Sequence, residues 1–140
     1  MTSDMNLETL QRARDYFNAG DIERYITTLY AAEAVGHFLP PGMPQGHSGL
    51  RLFYGAFHTG FPDAQLVFDD ILSEGERVVI RFHLDMTHTG EFNGIPATNK
   101  RASLSGITIF RFVDGKVAER WSESDFFGLM QQLGVIPMPG

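Results

Sequence analysis

The stretch RASLSGITIFRFVDGKVAERWSES, residues 101–124, determines the type of fold that this chain adopts. It holds two runs rich in β-branched and aromatic residues. Between them lies Asp114-Gly115, a dipeptide typical of tight hairpin turns. The stretch therefore predicts two long antiparallel strands, 101–113 and 116–124, joined by a two-residue turn.

Two more strands are predicted upstream of this hairpin. QLVFDDIL (65–72) and RVVIRFHLDMTH (77–88) flank the turn residues SEGE, and TGEFNGIPATNK (89–100) reads as a loop. Side chains alternate along a strand. One side of the second run therefore carries Val78, Ile80, Phe82, Leu84 and Met86.

Helical patterns precede and follow the strands. Apolar residues recur at three- and four-residue spacing in three N-terminal segments, which we expect to be capped by Asn6, Asp21 and Ser48. A short helix is predicted from Asp125, its cap, to Leu133. The buried side of the third helix is expected to carry Leu52, Phe53, Ala56 and Phe57.

Helices that are separated from strands along the chain indicate the α+β class. Both sides of the 101–113 strand are apolar: Ile107 and Ile109 lie opposite Leu104, Phe110 and Phe112. We therefore expect helices to cover one face of the sheet and a second subunit to cover the other. The length of 140 residues fits a single domain, 1–140.

Composition excludes several classes of protein. The net charge is −6, and the absence of a basic run argues against nucleic acid as a partner. No apolar run reaches the length of a membrane span, so no membrane role is expected. The chain has no cysteine, which fits a cytoplasmic location, and its five histidines lack metal-ligand spacing. Twelve phenylalanines predict a large core or an aromatic-lined cavity.

Four stretches together resemble one family: FNAGD, FPDAQ, THTGEFNGIPATNKRASLSGITIFRFVDGKVAERW and DFFGLMQQLGVIP. They are similar to the SnoaL-like polyketide cyclases of the nuclear transport factor 2-like superfamily. The resemblance implies a cone-shaped barrel, made of a strongly curved antiparallel sheet packed on three N-terminal helices, with a short C-terminal helix. It also implies a deep pocket, a homodimer and intramolecular aldol chemistry without metal or cofactor.

The resemblance also implies where catalytic groups should lie, and this chain departs from it there. The position of the family's acid/base aspartate falls on Ser122, and that of its pocket histidine falls on Thr108. A hydroxyl without assistance is a poor base near neutral pH. We therefore consider three other residues as the acid or base: His88, His37 and Glu123. For His88 and His37 the alternative is a structural role, in which each anchors a loop. Glu123 would face the pocket only if a bulge shifted the strand by one residue.

Several side chains are expected to line the pocket. Phe17 and Ala56 match pocket positions of the family, and alternation along the last strand places Arg120 beside Ser122. Arg120 could hold a carboxylate, enolate or phosphate oxygen, or form an ion pair at the rim. The full predicted wall is Phe17, Phe53, Ala56, Phe57, Phe82, Leu84, Met86, Thr108, Phe110, Arg120 and Ser122.

Three functions remain open from the sequence. The first is cofactor-free aldol or isomerase chemistry on a small apolar or aromatic molecule. The second is epoxide hydrolysis or dehydration on the same fold, for which Tyr16, Tyr25 and Tyr54 are possible proton donors. The third is a non-catalytic dimer that binds a small ligand.

Overall fold

The computed structural model describes residues 2–137 of the chain, with four helices and five strands in that range. The helices and strands are α1 (Thr2–Asn18), α2 (Ile22–Leu29), β1 (Tyr30–Gly36), α3 (Gly46–Gly60), β2 (Gln65–Glu74), β3 (Arg77–Thr87), β4 (Arg101–Val113), β5 (Lys116–Ser124) and α4 (Phe126–Gln132). The α+β class is thus confirmed, and the four predicted sheet strands form where the sequence places them.

The five strands form one sheet in the order β1-β5-β4-β3-β2. The pairs β2–β3, β3–β4 and β4–β5 are antiparallel, as predicted, whereas β1 pairs with β5 in parallel. The sheet is therefore mixed rather than wholly antiparallel. It is also open rather than closed into a barrel, because β1 and β2 are its two edges.

Two of the four predicted helix caps are correct. Asp21 and Asp125 cap α2 and α4, each side chain accepting a hydrogen bond from a first-turn backbone N–H. The predicted caps Asn6 and Ser48 are wrong. Helix α1 already begins at Thr2, so Asn6 lies buried within it, and α3 begins at Gly46 ahead of Ser48.

The two faces of the sheet differ in burial. Val78, Ile80, Phe82, Leu84 and Met86 all lie on the inner face, packed in the core. The outer face carries exposed apolar side chains, among them Ile107 on β4. Within residues 2–137, no helix combines the length and the apolar character needed to cross a bilayer.

A β-bulge at Ala118 sets which residues of β5 face inward. Arg111 pairs with Glu119 and Phe112 pairs with Val117, so Ala118 is an extra residue on β5. Strict alternation would put Val117 and Arg120 on opposite faces, whereas both are buried. Alternation counted back from Arg120 predicts Val117 on the outer face, and this prediction is wrong.

Candidate functional site: a cavity with a buried arginine

A cavity of about 260 Å³ lies between the helices and the inner face of the sheet. Its wall is mostly apolar and aromatic, which suits a ligand with an apolar ring system. Nine predicted site residues lie on it: Phe17, Phe53, Phe57, Phe82, Leu84, Phe110, Arg120, Ser122 and Glu123. Leu10, Arg14, Tyr25, Phe38, Tyr54, Leu66, Phe68, Ile80, Leu104, Ser124 and Phe126 complete it.

A second cavity of about 250 Å³ adjoins the first. The two share four phenylalanine side chains as a common wall: Phe38, Phe53, Phe57 and Phe126. The predicted pocket residue Ala56 lies on this second cavity instead of the first. The reason is that α3 turns Leu50, Tyr54 and Phe57 toward the core and leaves Leu52 and Ala56 exposed.

The buried charged group of the first cavity is the guanidinium of Arg120, which is only 9% exposed. It donates hydrogen bonds toward five hydroxyl oxygens: Nε to Ser122, Nη2 to Thr108, and the two N–H groups of Nη1 to three tyrosines that share them. These tyrosines are Tyr25, Tyr30 and Tyr54. We call these six residues the Arg120 cluster.

Aromatic rings enclose the same guanidinium. Its carbon lies 4.5 Å from the ring centre of Phe38 and 5.2 Å from that of Phe110, within the range of cation–π attraction. Burial disfavours the charged form, but the tyrosine oxygens outweigh it, and the pKa of Arg120 is raised. The cavity therefore presents a permanent positive charge.

The three tyrosine hydroxyls of the Arg120 cluster also bond to one another. Tyr54 Oη lies 3.1 Å from both Tyr25 Oη and Tyr30 Oη. Burial raises the pKa of Tyr25, and it raises the pKa of Tyr54 even though Arg120 opposes the shift. Both hydroxyls therefore keep their protons at neutral pH and can donate hydrogen bonds.

The two positions that the sequence resemblance matches to the family's acid/base pair hold a hydroxyl pair here. Thr108 Oγ1 and Ser122 Oγ lie 2.7 Å apart on paired residues of β4 and β5. Ser122 reaches the cavity wall, while Thr108 is fully buried behind it. Neither hydroxyl has a neighbouring base among its hydrogen-bond partners, so the pair offers polarity rather than proton abstraction.

His88 does not line the cavity. Its Nδ1 accepts a hydrogen bond from the backbone N–H of Thr98 at 3.2 Å, which leaves the proton of the neutral ring on Nε2. The ring is fully buried, 5.2 Å from that of Phe61, and its backbone pairs with Asn99 and Lys100. Alternation put His88 on the correct side of β3, but beyond the strand end its ring holds the 89–100 loop.

His37 lies on the outer face of the sheet. Its ring stacks on Trp121 at 5.1 Å, and its Nε2 lies 2.7 Å from Glu119. The backbone of His37 continues the pairing of β1 with β5, which directs the side chain away from the helices. It takes no part in the cavity.

Glu123 alone of the three predicted acid/base residues reaches the cavity. It pairs with Ile107 on the outer face, is exposed, and borders the cavity next to Ser124 and Phe126 at the end of β5. The bulge that could have turned it inward lies at Ala118 instead, five residues earlier in the strand.

Two further residues differ from their predicted role, and one was missed. Met86 is buried in the core beyond the cavity, opposite Ala102, and Thr108 lies one layer behind the wall. Tyr30 was missed as a member of the Arg120 cluster. Its position at the junction of α2 and β1 gave no periodic signal from which its partners could be read.

Comparison with known proteins agrees with this architecture. Residues 7–133 match the sequence model of the SnoaL-like polyketide cyclases. The nogalonic acid methyl ester cyclase of Streptomyces nogalater is 30% identical over 122 residues, which cover 84% of this chain and 89% of that enzyme. This chain belongs to the SnoaL-like polyketide cyclase family.

Solved structures show the same fold. TsrD from Streptomyces laurentii superposes with a TM-score of 0.80 at 30% identity, covering 92% of this chain and 97% of TsrD. AclR from Streptomyces galilaeus gives a TM-score of 0.86 at 26% identity and covers 99% of this chain and 86% of AclR.

No cofactor or metal was expected from the sequence. Across residues 2–137, no group of three or more histidine, aspartate or glutamate side chains is arranged to hold a metal ion. The absence of a cofactor stays a prediction.

Proposed function

We propose that this protein binds a small, ring-containing, polyketide-like molecule in the cavity of about 260 Å³ and promotes enolate chemistry on it without a cofactor. The apolar wall with one buried cation carries the proposal, because such a site holds a flat apolar ligand and orients its oxygen atoms. Similarity to the nogalonic acid methyl ester cyclase supports the same substrate class.

The reaction that fits this site is an intramolecular aldol closure. A base removes a proton from a carbon between two carbonyl groups, and the electron pair moves into an enolate. The enolate carbon then forms a bond to a second carbonyl carbon, whose oxygen takes up a proton. We propose Glu123 as the base, because its carboxylate belongs to a residue on the cavity wall, whereas His37 and His88 do not reach that wall.

A second candidate function is binding without catalysis. It is favoured by the Thr108–Ser122 hydroxyl pair, which occupies the family's two acid/base positions. Such a protein would hold the same class of ligand and leave it unchanged.

One experiment separates the two functions. The exchange of the acidic proton of a bicyclic β-keto ester into deuterated buffer is followed by NMR, and binding is followed with the neutral dye N-phenyl-1-naphthylamine. We expect exchange above the buffer rate and a fall of about a hundredfold in that excess for Glu123→Gln. The exposed Glu91→Gln on the 89–100 loop is the matched control.

Each result has a distinct meaning. Binding of dye and keto ester without faster exchange would select the non-catalytic function. Faster exchange that is unchanged in Glu123→Gln would reject Glu123 as the base. Failure of both compounds to bind would overturn the proposed use of the cavity.

We also propose a homodimer that forms through the outer face of the sheet, in the cytoplasm, with residues 1–140 as a single domain. The exposed apolar side chains Val67, Leu72 and Ile107 support the dimer, since soluble monomers avoid extended apolar patches. Light scattering at micromolar concentration should give twice the chain mass, and Ile107→Glu should give the chain mass. A monomeric parent protein would contradict the dimer.

A further inference from the structure

Arg120 is a buried cation whose partners are all uncharged. Buried charges in proteins are normally paired with an opposite charge, because leaving water costs several kcal/mol. None of the ion pairs formed by residues 2–137 includes Arg120. The positive charge on the cavity wall therefore has no protein counter-charge in direct contact.

The hydrogen bonds around Arg120 leave donors in excess. The guanidinium donates to five hydroxyl oxygens, and each of those hydroxyls still has a proton of its own to donate. Thr108 and Ser122 can use only one hydroxyl proton between them in their mutual bond. At least one hydroxyl proton therefore remains for an acceptor that the cluster itself does not supply.

The cluster opens onto the cavity through four of its members: Tyr25, Tyr54, Arg120 and Ser122. A second guanidinium, that of Arg14, lies on the same wall, with its Nη2 3.4 Å from the exposed Asp15. Glu123 is the single carboxylate-bearing residue on this wall. The charge lining the cavity is therefore positive on balance.

We propose that the Arg120 cluster binds an anionic oxygen carried by the apolar ring system of the ligand, as a carboxylate or as an enolate or phenolate oxygen. This proposal rests on the proposed function and specifies that the ring-containing ligand carries a negative charge. A fixed cation with neutral donors around it stabilises such an oxygen without reorganising, which is the requirement for stabilising an enolate. The rings of Phe38 and Phe110 lie 4.5 Å and 5.2 Å from the guanidinium carbon and add apolar surface beside it.

The test compares ligands that differ in charge but share a shape. Binding of 2-naphthoate and of the neutral 2-naphthamide is measured by calorimetry at neutral pH, and N-phenyl-1-naphthylamine reports on the cavity itself. We expect 2-naphthoate to bind about tenfold to a hundredfold more tightly than the amide, the range for hydrogen bonds to a charged group. Bound 2-naphthol should ionise at a lower pH than free 2-naphthol, which its absorbance reports.

The two probes distinguish the source of the oxygen. Preference for 2-naphthoate alone assigns a carboxylate, and a shifted ionisation of 2-naphthol alone assigns an enolate or phenolate oxygen; either supports the proposal. If the neutral dye binds but 2-naphthoate is not preferred and the ionisation of 2-naphthol is unchanged, the proposal of an anion site is wrong and the proposed binding function of the cavity stands. If the dye does not bind either, both fail.

Variants assign the effect to the cluster. Arg120→Met should abolish the preference for 2-naphthoate while dye binding persists, and Tyr54→Phe, which removes one hydroxyl, should weaken the preference with less risk to folding. Arg14→Met is the matched control on the same wall and should weaken it less than Arg120→Met. An equal loss in the two arginine variants, or an unchanged preference in Tyr54→Phe if Arg120→Met does not fold, would overturn the proposal.

Discussion

The two faces of strand β5 hold their charges in opposite ways. On the outer face, Glu119 accepts hydrogen bonds from His37 at 2.7 Å and from Arg111 at 3.1 Å, and these bonds lower the pKa of its carboxyl group. On the inner face, the next residue, Arg120, donates its side-chain hydrogen bonds to hydroxyl groups and contacts two phenylalanine rings. Glu119 thus finds its positively charged partners within the protein, whereas we propose that a ligand supplies the negative charge opposite Arg120.

The same contrast extends to β3. His83 lies on the outer face, 2.8 Å from Asp69 and 3.4 Å from Asp85. Its neighbours Phe82 and Leu84 lie on the inner face and line the cavity. The difference teaches that charges on the outer face are paired with one another beside exposed apolar side chains, whereas the inner face surrounds the charge of Arg120 with apolar and hydroxyl groups.

The largest expected effect comes from the inner face. Phe110→Ala should lower the free energy of unfolding by about 3–5 kcal/mol, because it leaves a void in a packed core. Phe110 is 2% exposed and faces the Arg120 guanidinium. Urea unfolding followed by circular dichroism measures the loss. The outer-face variant Ile107→Glu on the same strand is the control and should keep a folded protomer. A loss below about 1 kcal/mol for Phe110→Ala would show that the inner face is not tightly packed at this residue.

The second effect is a gain produced by supplying the inner face with its missing carboxylate. Ser122→Asp places an acid beside Arg120 Nε, where the serine oxygen now lies 2.8 Å away. Burial raises the pKa of such an aspartate and Arg120 lowers it, and close pairing should keep it ionised.

We expect Ser122→Asp to accelerate proton exchange of the β-keto ester about a hundredfold and to remove the preference for 2-naphthoate. NMR and calorimetry check the two outcomes. Ser105→Asp, at an exposed position on β4, is the control and should change neither. Unchanged exchange together with unchanged anion preference in a folded Ser122→Asp protein would show that position 122 does not act on the cavity.

The smallest effect concerns the paired charges of the outer face. The hydrogen bond to Asp69 raises the pKa of His83 above its usual 6.5, against a smaller opposing effect of burial. A raised folded-state pKa means that the interaction stabilises the fold fully below the unfolded pKa and is lost as pH rises through the folded value.

His83→Asn should therefore lower the thermal midpoint by about one or two degrees near pH 6, and by less near pH 9, since partly exposed ion pairs contribute little. Differential scanning fluorimetry across this range measures the change. His58→Asn on α3 is the control. A destabilisation that grows toward alkaline pH would reverse the sign and contradict the pairing with Asp69.

Much of the fold could be predicted from the spacing of apolar residues along the chain and from the turn residues between the strands. The Asp114-Gly115 turn has positive φ at both residues, 50° and 80°, as the hairpin prediction requires, and the apolar alternation of β3 is buried as expected. The parallel pairing of β1 with β5 did not follow, because α3 and three strands lie between them in the chain, and pairing between such distant strands leaves no local pattern.

The candidate site was less predictable. Arg120 and Ser122 were placed side by side correctly by alternation, since the Ala118 bulge lies before both of them. Alternation and position along the chain suggested cavity roles for His88 and His37, but neither fixes whether a side chain beyond a strand end turns toward the cavity or a loop. The tyrosine cluster joins residues 25, 30 and 54 from three elements, and such a contact depends on tertiary packing alone.

The Ala118 bulge has a consequence for insertions and deletions in this part of the chain. The hairpin has one more residue on β5 than strict pairing with β4 uses, so a deletion at position 118 would restore strict pairing there. Val117 would then directly precede Glu119, and strict alternation would leave Val117 on the inner face and Glu119 on the outer face, where they already lie. The stretch from 119 to 124 would keep its orientation. The strand should thus tolerate the loss of one residue at position 118, whereas the loss of a paired residue between 119 and 124 would turn the residues on one side of the deletion to the opposite face.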